Sequence, residues 1–268
     1  MRTHHPILLI PLLLGDLHAQ TSDPARPSPV AHIREADVMW AMRVWRFVDL
    51  KEKMNLPLYY PLEPTEGRTN LFDLLVQALL ADGQLTAYDD TEGNGDEFLH
   101  PLDRQEIQAM LEQREIISTM DPDTDQMIDT EVVTRIAAGD VVGYKLKEDH
   151  IFDKQRGVME VRIIGIAPMV ASRGEDGEIR GHRTLFWLYY PECRHVLATA
   201  RAFLRHNDAE QRTFDEVFTK RLFSSSVIKV SNVYDRGITD HRTGIDALLT
   251  AEDLEKWLAE YEMDLWHY

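Results

Sequence analysis

The sequence predicts one α+β domain, an antiparallel β-meander packed with helices, running from about residue 32 to residue 268. Three runs carry that expectation. Residues 144–152 and 158–166 are rich in strand-type side chains, and they flank Asp153-Lys154-Gln155-Arg156-Gly157, whose glycine can take the positive φ of a tight loop. That is the pattern of a β-hairpin. A third run, Leu185-Phe186-Trp187-Leu188-Tyr189-Tyr190, follows a glycine-bearing loop at 172–181 and is aromatic enough to be the next strand. In the second run Met159, Val161 and Ile163 alternate with Glu160 and Arg162, so one face is buried. Ile164 and Ile166 continue on the opposite parity around Gly165, which calls for burial on both faces or a bulge, and Pro168 is expected to end the strand.

Taken from the start, residues 1–19 have the form of a secretory signal peptide: Arg2, a short apolar core over 7–14, and small Ala19 before Gln20. Residues 20–31 carry three prolines and read as an extended linker. Ile33, Ala36, Trp40, Val44 and Phe47 recur at three- and four-residue spacing, which predicts an amphipathic helix over 33–53. The two prolines of segment 56–61 predict extended chain. Asn70 caps a helix through Leu79 that Gly83 terminates, 84–88 is a short strand with a polar tip at 89–95, and Asp103 with Glu106 opens a helix to about residue 113. An acidic loop followed by a short helix near 130–138 is expected within 118–140.

Further helices are predicted over 194–204 and 213–223, then a break at Ser224-Ser225-Ser226 and a strand over 227–233. A last helix has Thr250 as its N-cap and Leu254, Trp257, Leu258 and Tyr261 on one stripe. Val161, Ile163, Trp187, Phe218, Leu222, Trp257 and Leu258 are expected in the core.

Charge narrows the partners. With 46 acidic against 29 basic residues the chain carries −17, which repels nucleic acid and anionic membrane surfaces and favours basic ones. The single cysteine, Cys193, excludes an intramolecular disulfide. After the signal peptide no run approaches the roughly 20 apolar residues that a membrane span needs, so an exported chain without direct membrane insertion is expected.

Chemistry-bearing candidates are few. Asp121, Asp123, Asp125 and Asp129 stand at four ligand positions of a calcium loop, but Gln126 replaces the turn glycine and Val132 the bidentate glutamate. An acidic surface loop is the plainer reading. Cys193 and His195 lie two residues apart on one element, where their side chains need not meet, and no nucleophile signature surrounds them. No catalytic residue, metal or cofactor is expected. The aromatic residues Trp40, Trp45, Tyr59, Tyr60, Trp187, Tyr189, Tyr190, Trp257 and Trp266 either fill the core or line a groove. The groove would suit a periplasmic or secreted glycan- or peptide-binding protein or hydrolase.

Four segments resemble the GldN/PorN family: IREADVMWAMRVWRFVDLKEKMNLPLYYP from Ile33, KEDHIFDKQRGVMEVRIIGIAP from Lys147, FWLYYPECR from Phe186 and TFDEVFTKRLFSSSVIKVSNVYDR from Thr213. The likeness is collinear and extends to the DALL and DLW pieces near the C-terminus. It implies a non-enzymatic periplasmic subunit of the type IX secretion and gliding-motility machinery of Bacteroidetes-type bacteria. It further implies a ring-shaped assembly with an outer-membrane lipoprotein of the GldK/PorK type, and contact with the periplasmic part of the inner-membrane motor of the GldM/PorM type. On the wheel of the expected N-terminal helix, Trp45 falls at the flank of the apolar arc and Arg46 points away from it. That pair is therefore the candidate partner-binding site, the alternative being Trp45 packed under segment 56–61 and Arg46 paired with Asp49 or Glu35.

Overall fold

Two long strands joined by a tight turn form the middle of the sheet. The computed structural model describes residues 26–27, 29–65, 67–91, 93–120, 127–173, 178–202 and 212–265. In chain order these form β1 (Val38–Asp49), α1 (Leu56–Tyr59), α2 (Leu71–Leu80), β2 (Ala87–Tyr88), α3 (Arg104–Leu111), β3 (Glu112–Met120), β4 (Met127–Arg135) and β5 (Val141–Asp153). There follow β6 (Val158–Arg173), β7 (Ile179–Thr184), β8 (Trp187–Tyr189), α4 (Tyr190–Thr199), α5 (Phe214–Thr219), β9 (Ser226–Val230) and α6 (Ile245–Leu265). A seven-stranded sheet runs β2-β8-β6-β5-β1-β9, with β7 also on β6, and β3 pairs with β4 as a separate ribbon. Every named pairing is antiparallel. This is the predicted α+β class. The signal-peptide expectation falls on residues 1–19 and the first part of the calcium-loop reading on 121–126, both outside the described residues, while Asp129 and Val132 lie on β4.

Local chemistry explains the elements that were foreseen. Asn70 accepts the Asp73 N–H at 2.8 Å while its own amide donates to the Pro61 carbonyl at 2.8 Å, so one side chain caps α2 and anchors the segment before it. Gly83, at φ 59°, follows α2. At α3 the Glu106 N–H donates to Asp103 at 2.8 Å and the Asp103 N–H donates back to Glu106 at 2.7 Å, a complete capping box. Gly157 turns the β5–β6 hairpin at φ 62°.

Several expectations are corrected. Residues 38–49 are a strand, not a helix. β1 lies between β5 and β9, and it is covered on both faces: Val44 and Val48 are buried on one side and Trp45 on the other. Burial on both faces erases the two-residue alternation and leaves mixed spacings that a helical template also fits. Residues 56–59 are helical because Pro57 lies in the first turn, where its missing N–H costs nothing. Met127–Arg135 is a strand, paired with Glu112–Met120 as the β3–β4 ribbon, in place of the short helix expected near 130–138. At the two ends of the expected 172–181 loop, Ser172 and Arg173 belong to β6 and residues 179–181 to β7, and α4 starts at Tyr190, with Pro191 in its first turn, ahead of the expected residue 194. Finally α6 begins at Ile245; Thr250 lies inside it and its hydroxyl donates to the Asp246 carbonyl at 2.7 Å.

Pro168 does not end β6. The strand leaves β8 after Ile166 and meets β7 from Met169, and Pro168 lies at the join with its carbonyl accepting the Leu185 N–H at 2.9 Å. In an antiparallel strand the N–H of a residue points the same way as its carbonyl, so the donor that proline lacks would have faced this change of neighbour.

The main core lies between the sheet and helices α2, α4 and α5, with Tyr144, Leu146, Ile166, Leu188, Phe214 and Phe218 among its most enclosed members. Of the expected core residues, Ile163, Trp187 and Phe218 are buried, Val161, Leu222 and Leu258 are half-buried, and Trp257 is exposed, stacked on Tyr261 at 5.5 Å. Tyr144 is fully buried, and its hydroxyl has no hydrogen-bond partner among the described residues. Tyr144→Phe removes that unpaired group and leaves the ring, so it is expected to raise the unfolding free energy by about 1 kcal/mol in urea titrations.

Candidate binding face

Helices cover one face of the sheet. The opposite face carries a ladder of cations and rings that strand alternation brings into register. Trp45 on β1 stands between Lys229 on β9 and Lys147 on β5; beyond Lys147 come Gly165 on β6 and Tyr189 on β8. In the next row Phe47 faces Lys145, Lys145 faces Ala167, and Trp187 pairs with Tyr88 of β2. The ammonium of Lys229 lies 4.4 Å from the Trp45 ring centre and that of Lys147 5.8 Å, while Lys145 lies 5.7 Å from the centre of Trp187. Each such cation–ring contact is worth about 0.5–1 kcal/mol where water reaches it.

Residues 89–91 and 93–98 cross this face as a strap. The Trp45 indole N–H donates to the Asp96 carboxylate at 2.7 Å, and Lys147 donates to the Asp96 carbonyl at 2.6 Å with the same carboxylate 3.3 Å away. Phe98 sets its ring edge-to-face with Tyr88 and Tyr189 at 5.3 and 5.4 Å. Gly165 makes room for this: a Cβ there would lie 2.8 Å from the Phe98 ring and 3.1 Å from Trp187. Gly165→Ala is expected to cost about 1–3 kcal/mol and to speed amide exchange within 89–98.

Between the strap and the 231–235 loop lies a cavity of about 310 Å³, lined by Arg43, Trp45, Trp187, Lys145, Lys147 and Lys229 and by the carboxylates Asp90, Asp96, Glu97 and Asp235. It gathers three of the eight lysines of a strongly acidic chain. Trp45, Trp187 and Lys147 are only 7%, 1% and 4% exposed, whereas Lys145 and Lys229 are half-buried, so these two lysines, not the ring faces, are what a ligand would meet. The chemistry on offer is anion binding.

Of the predicted pair, Trp45 belongs to this face and Arg46 does not. Neighbours on a strand point to opposite sides, and Arg46 turns toward the helical face. It donates to the Ser225 hydroxyl at 2.8 Å, the Ser225 carbonyl at 3.2 Å and Glu255 on α6 at 2.8 Å. Burial pulls its guanidinium below the ordinary arginine value, against the pull of Glu148 and Glu255. Trp45 thus fixes the strap and Arg46 fixes α6, where the sequence alternative placed segment 56–61 and Asp49 or Glu35. Close by, Glu148 is fully buried and receives Arg221 at 2.8 and 3.3 Å, with His150 at 3.3 Å.

Cys193 and His195 are not brought together. The Cys193 thiol is buried on α4 and donates to the Tyr189 carbonyl at 3.5 Å, whereas His195 is exposed. Burial pushes the thiol far above its ordinary value, so it is a poor nucleophile. Among the described residues no cluster of three or more His, Cys, Asp or Glu is placed to hold a metal, and no helix is long and apolar enough to cross a membrane.

A second surface is apolar. Ile245, Leu248 and Leu249 on the first turns of α6, with Val233 and Tyr234 on the loop before it, are all exposed, Val233 at 97%. The helix packs on the sheet through the other side, by Ala247, Ala251, Leu254 and Leu258. Sequence reading missed the lysine ladder, although its signal is present: Lys145 and Lys147 alternate along β5, and Lys229 stands among Val227, Ile228 and Val230. A family model described as gliding motility associated protein GldN matches residues 33–267. A search of curated proteins finds no match.

Proposed function

The chain belongs to the GldN family of gliding-motility-associated proteins, and on that premise we propose that it is a non-enzymatic structural subunit of the type IX secretion and gliding-motility machinery. In this proposal it works in the periplasm, joins an outer-membrane lipoprotein of the GldK/PorK type in a ring-shaped assembly, and touches the periplasmic part of a GldM/PorM-type motor. The carrying observation is the extent of the match, 33–267, which takes in every strand and helix of the sheet domain. The exposed apolar patch of α6 and the 231–235 loop supports it, because large side chains grouped in water mark surfaces that other proteins cover. A ring further requires head-to-tail contacts between different patches of neighbouring subunits.

Trp45 and Arg46 enter the proposal through what they hold. The strap and α6 are the elements that a partner would meet, and each is pinned by one of the two residues.

The test is capture of the tagged chain from detergent-solubilised envelopes. Co-recovery of an outer-membrane lipoprotein supports the assignment, and recovery of the chain alone overturns it. Leu248→Glu with Leu249→Glu is expected to abolish capture while changing stability by less than about 0.5 kcal/mol per site, since both side chains are exposed.

A further inference from the structure

We propose that the cavity under the strap is a carboxylate-binding site in which Lys145 receives the anion. This is independent of the assembly role above. Three of the four cations at the cavity already have acidic partners. Arg43 grips Asp149 at 2.7 and 3.0 Å, Lys147 is held by Asp96, and Lys229 pairs with Asp235 at 2.7 Å. Lys145 has a contact with the Trp187 ring and no carboxylate within ion-pair reach among the described residues. In a chain with 46 acidic residues, a half-buried lysine left over in a cleft is a charge kept for something else. The Lys229 partner is also replaceable, because the Asp235 side chain is 80% exposed and stands on a loop.

Size and sign define the class. A volume of about 310 Å³ admits a small organic acid or one acidic side chain, and a lysine ammonium meets such a group as a point charge with three donors. Asp90, Asp96 and Glu97 on the rim repel a doubly charged phosphate more than a singly charged carboxylate. The shared chemistry is therefore a monoanionic carboxylate, from either a free acid or a protein segment.

The experiment follows the indole N–H resonances of the purified protein, which has five tryptophans, during titration with three probes. These are N-acetylglycine, a blocked pentapeptide Ala-Ala-Glu-Ala-Ala, and inorganic phosphate. Saturable shifts of the Trp45 and Trp187 signals are expected, with a Kd on the order of 1 mM. Lys145→Gln should weaken binding about tenfold or more, Lys145→Arg should retain it, and Lys154→Gln on the hairpin turn should leave it unchanged. Binding of both carboxylate probes identifies a free acid as sufficient; binding of the peptide alone identifies a protein side chain as the source. The proposal is overturned if neither carboxylate probe gives a saturable shift, if Lys145→Gln binds as well as the unaltered protein, or if phosphate binds more tightly. Should Lys145→Gln fail to fold, the titrations of the unaltered protein and of Lys145→Arg still decide.

Discussion

Glu148→Ala is expected to lower the unfolding free energy by about 3–5 kcal/mol, the range for removing one partner of a buried ion pair. The carboxylate is fully enclosed and serves Arg221, His150 and, through space, Arg46; without it Arg221 loses its acidic partner and only Glu255, on Arg46, remains to offset the positive charge. Arg221 is also held in a left-handed backbone conformation, φ 51°, which its bonds to Glu148 help to maintain. Urea denaturation at neutral pH measures the loss, and Glu148→Gln separates charge from shape. The pH dependence has a definite sign. Burial alone would raise the carboxyl, but the hydrogen bond with His150 and the charges of Arg221 and Arg46 outweigh it and hold the folded group below the ordinary value of 4.5. Its contribution is thus fully present above that value and fades as pH falls through the lower, folded one. The curves for the unaltered protein and for Glu148→Gln should converge in acid; a gap that widens there would refute the assignment.

Trp45→Ala is expected to cost a similar amount, about 3–5 kcal/mol, as a large enclosed ring is removed. The loss is expected to appear in two places. Globally, the midpoint of unfolding falls. Locally, Asp96 loses its indole donor and the strap keeps only Lys147 and the Phe98 contacts, so amide exchange within 89–98 should rise even under native conditions. Combined with Arg46→Ala, which leaves Glu255 only the Val227 N–H and loosens α6, the variant should be measured for unfolding and, well below its melting midpoint, for lipoprotein capture. A fall in stability with capture intact returns both residues to the fold alone; loss of capture by the folded variant supports their part in presenting the partner surface.

How far the sequence could be read depended on whether one local rule spoke unopposed. At Asn70, and at Asp103 with Glu106, a single side chain satisfies a backbone donor, and no competing structure uses the same spacing. Gly157 is equally direct. At β1 two rules competed: the apolar residues fit a 3.6-residue period because the strand is buried on both faces, and only the partners β5 and β9, distant in sequence, decide between them. In the β3–β4 ribbon the β-branched pairs Ile116-Ile117 and Val132-Val133 are strand signals that the surrounding acids obscure. At Pro57 and Pro191 the rule for extended chain and the rule for a helix start both apply, and the helix start prevails. The candidate site was legible only in part. Trp45 is singled out by the sequence, but on a helix; Lys145 and Lys147 share one strand face by their spacing alone, whereas their meeting with Trp45 and Lys229 depends on cross-strand register.

The break at Pro168 has a bearing on how this sheet meets other chains. A strand that serves two neighbours in succession leaves a seam between them, and a seam with a free donor and acceptor is a place where a foreign strand can begin to pair. Here proline supplies no donor, and the single acceptor is already taken by Leu185. An invading strand therefore finds no donor at that point and an acceptor already engaged, so the seam is closed to pairing.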